Sequence, residues 1–130
     1  MKSQLCPAIL IAVISANVFA AGSLLQDAPA KVHRKVNPYA GDDAAVRAGE
    51  KVYQRQCASC HGGAGEGLGA RPPLASRSVA DASPGVIEWV IRTGSSRRGM
   101  PSFSHLPERQ RWQIITYLKQ LPAPAQLRNH

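Results

Sequence analysis

An all-α domain is the fold this chain predicts. Three stretches carry apolar residues at helical spacing, and no run alternates between polar and apolar in the manner of a half-buried strand. The densest glycine and proline clusters lie between those stretches, where they read as loops. At 130 residues the chain has the length of a single domain.

The first helix is expected to begin near Asp42 or Asp43, either of which can cap it. Val46, Gly49, Val52 and Tyr53 then share one face, and the helix delivers the chain to Cys57. A second helix follows Ser83-Pro84, with the serine as cap and the proline suited to the first turn. It carries Val86, Ile87, Trp89, Val90 and Ile91 and stops at Gly94. The third starts at Pro107-Glu108, the acid sitting at the favourable end of the helix dipole. Ile114, Tyr117, Leu118 and Leu121 form its stripe, joined by Trp112 and Ile115, and Pro122 and Pro124 end it.

Both ends read differently. Lys2 followed by the apolar run Ala8 to Ile14 and then Val18-Phe19-Ala20 has the order of a signal peptide over residues 1–20, cleaved before Ala21. The rival is an uncleaved anchor from Leu5 to Leu25, interrupted by Pro7, Ser15 and Asn17. Residues 21–41 have no periodicity and contain Pro29 and Pro38, so they are expected to form a flexible leader with a short basic run, Lys31, His33, Arg34 and Lys35. The working domain is then 42–122, and 123–130 a disordered tail. Cys6 leaves with the signal, so the exported chain keeps two thiols and has no third with which to form another disulfide.

Lysine and arginine outnumber aspartate and glutamate by 16 to 8, a net charge of +8. Aromatic residues are few and do not interleave with the basic ones, which argues against nucleic-acid binding. The better reading is electrostatic steering towards acidic protein surfaces.

The two remaining thiols sit in Cys57-Ala58-Ser59-Cys60-His61. This order is that of a c-type haem attachment site: two thiols bond the macrocycle, and the adjacent histidine ligates the iron. A redox dithiol would lie near a βαβ pattern, of which there is no trace. A structural zinc site needs four ligands, and three packed this tightly cannot surround a tetrahedral ion. A Cys57–Cys60 disulfide would leave His61 unexplained. The following loop from Gly62 to Leu74 holds five glycines, but lacks the strand and Gly-Lys-Ser/Thr ending of a phosphate cradle. Its glycines suit a tight passage along a haem edge.

Met100 offers a second axial ligand. Beyond Met1 it is the only methionine in the chain. The commoner fate of a methionine is to fill a gap in a core, but Gly99 before it and Pro101 after it fit a loop that aims a sulfur at iron. A His/Met pair raises the haem potential and closes the sixth position, which favours electron transfer over substrate chemistry. His105 is the rival ligand, in a place more typical of a surface histidine. His33 and His130 fall in the expected leader and tail.

The Gly49 and Tyr53 pair, the motif at 57–61, Gly99-Met100-Pro101 and the Ile114 to Leu118 helix resemble a class I monohaem c-type cytochrome, over about residues 43 to 121. The resemblance implies three to four helices wrapped around one covalent haem c. It implies that the first and last helices cross, with Gly49 permitting close approach and Tyr53 and Tyr117 at the contact. Cofactor-binding residues would be Cys57, Cys60, His61, Met100, Pro72 and Leu74, with His61 and Met100 on the metal. The carbonyl of Pro72 or Pro73 would accept from His61, and Leu74 would pack on the His61 side. Arg92, Arg97 and Arg98 could neutralise propionates, mark a docking rim, or be ordinary surface charge.

The function expected is that of a periplasmic, monomeric one-electron carrier between a dehydrogenase, such as a quinoprotein alcohol dehydrogenase, and a terminal oxidase or other cytochrome. The alternatives are a haem subunit of a dehydrogenase complex, and a haem enzyme or gas sensor with an open sixth position.

Overall fold

The computed structural model describes residues 24–123; the expected signal peptide and all but the first residue of the expected tail lie outside the described residues. Within the described residues five α-helices run in the order α1 (Asp43–Gln56), α2 (Ala58–His61), α3 (Arg77–Asp81), α4 (Pro84–Thr93) and α5 (Glu108–Leu118), with 3₁₀ turns at Ala30–Arg34 and Ser96–Arg98. Among the described residues β-structure is limited to two isolated bridges, Leu68 with Arg71 and Ser95 with Met100. The fold is all-α.

Helix α1 starts where the sequence asks it to. The Asp42 carboxylate accepts from the Ala44 and Ala45 N–H groups at 2.8 and 3.1 Å, satisfying two donors that the first turn leaves free. Its buried face is Ala45, Gly49, Val52 and Tyr53. That face lies on α5, and at Gly49 the two backbones touch: a Cβ there would stand 1.9 Å from the Gln113 carbonyl oxygen. One turn on, the Tyr53 and Tyr117 rings meet at 5.2 Å and 53°, a tilted aromatic contact. Ile114 and Ile115 are essentially sealed from solvent, each contributing roughly 1.5–3 kcal/mol by burial.

Helix α4 carries Pro84 in its first turn, as expected, and ends at Gly94. Ser83 occupies the cap position but makes no side-chain cap bond. Its carbonyl accepts from Val86 and Ile87 instead, leaving the hydroxyl buried without a partner. Within the otherwise apolar run of α4, Glu88 is buried and receives the Arg111 Nε of α5 at 2.9 Å. Arg111 is itself buried and also donates to the Leu106 carbonyl. The pair joins α4 to α5 within the core, where neither charge is left without a partner. Helix α5 stops at Leu118, earlier than Pro122 would require. Lys119 follows as its C-cap and turns its ammonium onto the Val79, Ala80 and Ala82 carbonyls around the end of α3.

The expectation of a flexible leader over 21–41 is corrected from residue 24 onward. Val32, in the first 3₁₀ turn, is buried against α4, and Asn37 is buried with its Nδ2 donating to Thr116 Oγ1 at 2.9 Å. Single buried anchors of this kind carry no helical or strand periodicity, which is why the pattern reads as a linker. At the other end Ala123 is buried, so ordered packing reaches the first residue of the expected tail.

Candidate functional site

The Cys57 to His61 segment folds as a helical turn continuing from α1. Cys57 caps α1 by donating its N–H to the Tyr53 carbonyl at 2.8 Å, and its own carbonyl accepts from Cys60 and His61 at 3.1 and 2.9 Å. Positions i, i+3 and i+4 of a turn share a face, so both thiols and the imidazole are presented to one side. The Tyr53 hydroxyl donates to the Gly62 carbonyl at 2.7 Å and holds the end of the turn against α1.

The loop after the histidine folds back on it. Gly67 N–H donates to the His61 carbonyl at 2.7 Å, and the Gly65 carbonyl accepts from Leu74 and Ala75 at 2.8 and 2.9 Å. Gly67, at φ +83°, passes so close to Arg71 and Pro73 that a Cβ would lie within 2.9 Å of both. The fold-back brings the Pro72 carbonyl to 2.8 Å from His61 Nδ1. With Nδ1 so engaged, the ring is oriented and Nε2 is the nitrogen left for a metal. Leu74 is half-buried against the core.

Electrostatics separate the readings of the two thiols. Both are free. Burial, then the neighbouring Cys60, pushes the Cys57 thiol up to about 12. A dithiol oxidoreductase depends on the opposite shift, a thiolate stabilised near neutrality. Nor do three or more His, Cys, Asp or Glu side chains converge on a metal-sized point among the described residues. Two thiols and a histidine on one face fit a planar macrocycle better than a small ion. The residues present fit haem c.

Met100 lies in a loop built onto the end of α4. Ser95 and Met100 exchange both backbone hydrogen bonds, at 2.8 and 3.0 Å, closing the loop around the second 3₁₀ turn. Phe103 N–H donates to the Ile91 carbonyl at 3.0 Å and the Ser102 hydroxyl to the Arg92 carbonyl at 2.7 Å. These carbonyls belong to the last turn of α4, which the helix itself leaves unsatisfied. Met100 is half-buried and lines an open depression with Thr93, Ser96, Gly99, Pro101 and Ser102. His105 is exposed, its ring 5.9 Å from that of Phe103. Arg92 reaches back to Glu88 at 3.6 Å and Arg98 to Asp27 at 3.8 Å, while Arg97 is exposed.

Arg71 joins the two halves. Its Nη1 lies 3.6 Å from Cys60 Sγ and 3.5 Å from the Gly99 carbonyl, so the attachment turn and the methionine loop meet along one edge of the molecule. No sequence signal marks this role; Arg71 reads there only as a basic residue before two prolines. The Tyr53 hydroxyl is likewise invisible in the pattern, which counts Tyr53 as a contact residue. Glu88 does carry a signal, since a carboxylate inside an apolar helix run demands a buried partner.

A helical domain that presents two thiols and an oriented histidine on one face defines a c-type cytochrome domain. The sequence model of one family, described as cytochrome C oxidase, cbb3-type, subunit III, matches residues 44–118, and the chain belongs to that family. It is thereby of the monohaem c-type cytochrome class, for which covalent haem c and electron transfer are the common properties. Comparison with curated proteins and with solved structures gave no match. No helix among the described residues is long and apolar enough to cross a membrane.

Proposed function

We propose that this chain is an exported, monomeric one-electron carrier that holds a single haem c between His61 and Met100. The observation that carries the reading is the 2.8 Å contact between His61 Nδ1 and the Pro72 carbonyl, made by a ring that shares its helical turn with both thiols. When bound, the group supplies an iron that changes valence without bonding to a substrate.

The chain's own residues do the rest. Cys57 and Cys60 anchor by thioether bonds, and Pro72 keeps the imidazole from rotating. Met100 would supply a second iron ligand from the loop on α4, and Leu74 would pack on the histidine side. Arg71 and Arg97 offer positive charge along the edge where the two segments meet, which steers an acidic redox partner into a brief, small encounter. The donor is a dehydrogenase, of which a quinoprotein alcohol dehydrogenase is one type, and the acceptor a terminal oxidase or another cytochrome. Cleavage of residues 1–20 would release the carrier into the periplasm.

A second reading is a haem-bearing subunit held stably in an oxidoreductase complex. The family's description as an oxidase subunit favours it. A partner that co-purifies with the chain through gel filtration would support this reading over the free carrier.

Absorption spectra of oxidised and reduced holoprotein, with and without carbon monoxide, test the site. The parent should resist carbon monoxide at neutral pH, while Met100→Ala should keep covalent haem, bind the gas and lose potential. A parent that binds it readily, or a Met100→Ala protein with an unchanged spectrum and potential, refutes the ligation.

A further inference from the structure

We propose that residues 24–42 form a strap that holds the Met100 loop in its ligand-presenting position. The inference rests on the His61/Met100 reading above. It concerns a segment that lies outside the matched family region, which begins at residue 44.

The strap is fastened at several places along its length. Near its start Leu25 packs against the core, and Asp27 Oδ2 lies 3.8 Å from Arg98 Nη2, two residues before Met100. Val32 is 3 % exposed, and its carbonyl sits so tightly on α4 that a Cβ at Gly85 would be 2.0 Å from the oxygen. Lys35 Nζ lies 3.8 Å from Glu88 Oε2. Asn37 uses Nδ2 for Thr116 Oγ1 at 2.9 Å and the Trp112 carbonyl at 3.4 Å, while its Oδ1 accepts the Tyr39 N–H at 2.9 Å. Arg109 covers the Tyr39 ring at 5.7 Å. A linker of the same length needs none of these contacts.

Two routes lead from the strap to Met100. One is direct, from Asp27 to Arg98 in the 3₁₀ turn of the methionine loop. The other runs through α4, because the strap bears on Gly85 and Glu88 and the same helix binds the loop at its far end through Ile91 and Arg92. The exposed Asp27 pair alone is worth little. The buried Asn37 bonds and the Val32 contact give the strap its hold, since a buried polar group left unpaired is costly. The strap residues thus act as positioning residues: they limit how far α4 and its loop can swing.

The test compares full-length holoproteins carrying Gly85→Ala, Asn37→Ala and Asp27→Lys with the parent and with Met100→Ala. Gly85→Ala is the sharpest, because the helix accepts alanine while the new methyl displaces Val32. Two quantities are read: the rate of carbon monoxide binding to the reduced protein, and the absorbance of the ferric iron–thioether band. Melting is followed in parallel. Gly85→Ala and Asn37→Ala should bind the gas about fivefold faster or more, the factor set by roughly 1 kcal/mol of lost hold, and should show a weaker band at unchanged haem content. Asp27→Lys, at the surface and safe for folding, should shift both readouts the same way by less, and added salt should diminish its effect. Variants that melt earlier yet keep the parental rate and band overturn the strap, leaving residues 24–42 a mere cover; an Asp27→Lys protein identical to the parent does the same if the other two fail to fold. A Met100→Ala spectrum equal to the parent's overturns the ligand reading itself, and the strap with it.

Discussion

Replacing Gly49 with alanine should destabilise this domain, because the added methyl has no room at the helix crossing. In α1 the substitution is favourable on propensity grounds, by about 1 kcal/mol. The crossing reverses the sign. The new Cβ would stand 1.9 Å from the Gln113 carbonyl oxygen, 2.5 Å from its carbon and 3.1 Å from the Ile114 nitrogen, whereas ordinary contact begins near 3.4 Å. All three atoms are backbone, so no side chain can swing aside, and α1 and α5 must part by about 1.5 Å. A gap of even 0.5–1 Å forfeits a quarter to a half of the dispersion attraction across a contact. Overpacking costs of about 3 kcal/mol or slightly more follow, leaving a net loss of about 2 kcal/mol. For a domain of this size that is a fall of roughly 8–16 °C in melting temperature. Thermal unfolding followed by far-ultraviolet circular dichroism measures it. An unchanged or raised melting temperature would mean that the two backbones do not touch there, and the account of the crossing would be wrong.

Three further outcomes are expected. Glu88→Ala strands Arg111 in the core without its carboxylate and should lower stability by about 3–5 kcal/mol in urea unfolding; a loss below 1 kcal/mol would show that the pair is dispensable. Tyr53 has its hydroxyl pushed up to about 12 by burial and then by the neighbouring Cys57. The unfolded chain therefore ionises first, and the native state should lose stability between pH 10 and 12 while keeping this contribution fully below pH 10. Tyr53→Phe should flatten that part of the profile; an identical alkaline slope would remove Tyr53 as its cause. Cys57→Ala should lower the yield of holoprotein and its stability, and a normal yield of covalently attached haem would contradict the thioether at that position.

Periodicity made the three long helices legible, because α1 and α4 each bury a stripe against α5. Asp42 was readable as a cap for the same local reason: its carboxylate needs only the N–H groups of Ala44 and Ala45, two and three residues on. The site divides along similar lines. Residues 57–61 announce themselves, since their chemistry requires a fixed order within a single turn. The choice between Pro72 and Pro73 was closed to the sequence, because it depends on how tightly the loop folds over Gly65 and Gly67. Structure puts the Pro72 carbonyl against the imidazole. Arg71 and Asn37 were hidden for a different reason. Each acts on a residue far away in the chain, and one polar side chain among turn residues has no period to betray it. The leader looked free for want of a pattern, although a few well-placed buried groups suffice to tie it down.

The bonds from Asn37 to α5 also set an order of events. They join positions 75 and 79 residues apart, and the α1 crossing spans a comparable stretch of chain. Closing such loops is entropically slow and yields nothing until α5 has arrived. Until α5 docks, the segment at 57–61 has no completed core to pack against, and both thiols stay accessible. Attachment chemistry has its natural window then. Once α5 docks, the Cys57 sulfur is partly covered, so a chain loaded before docking offers its cofactor the more open thiols.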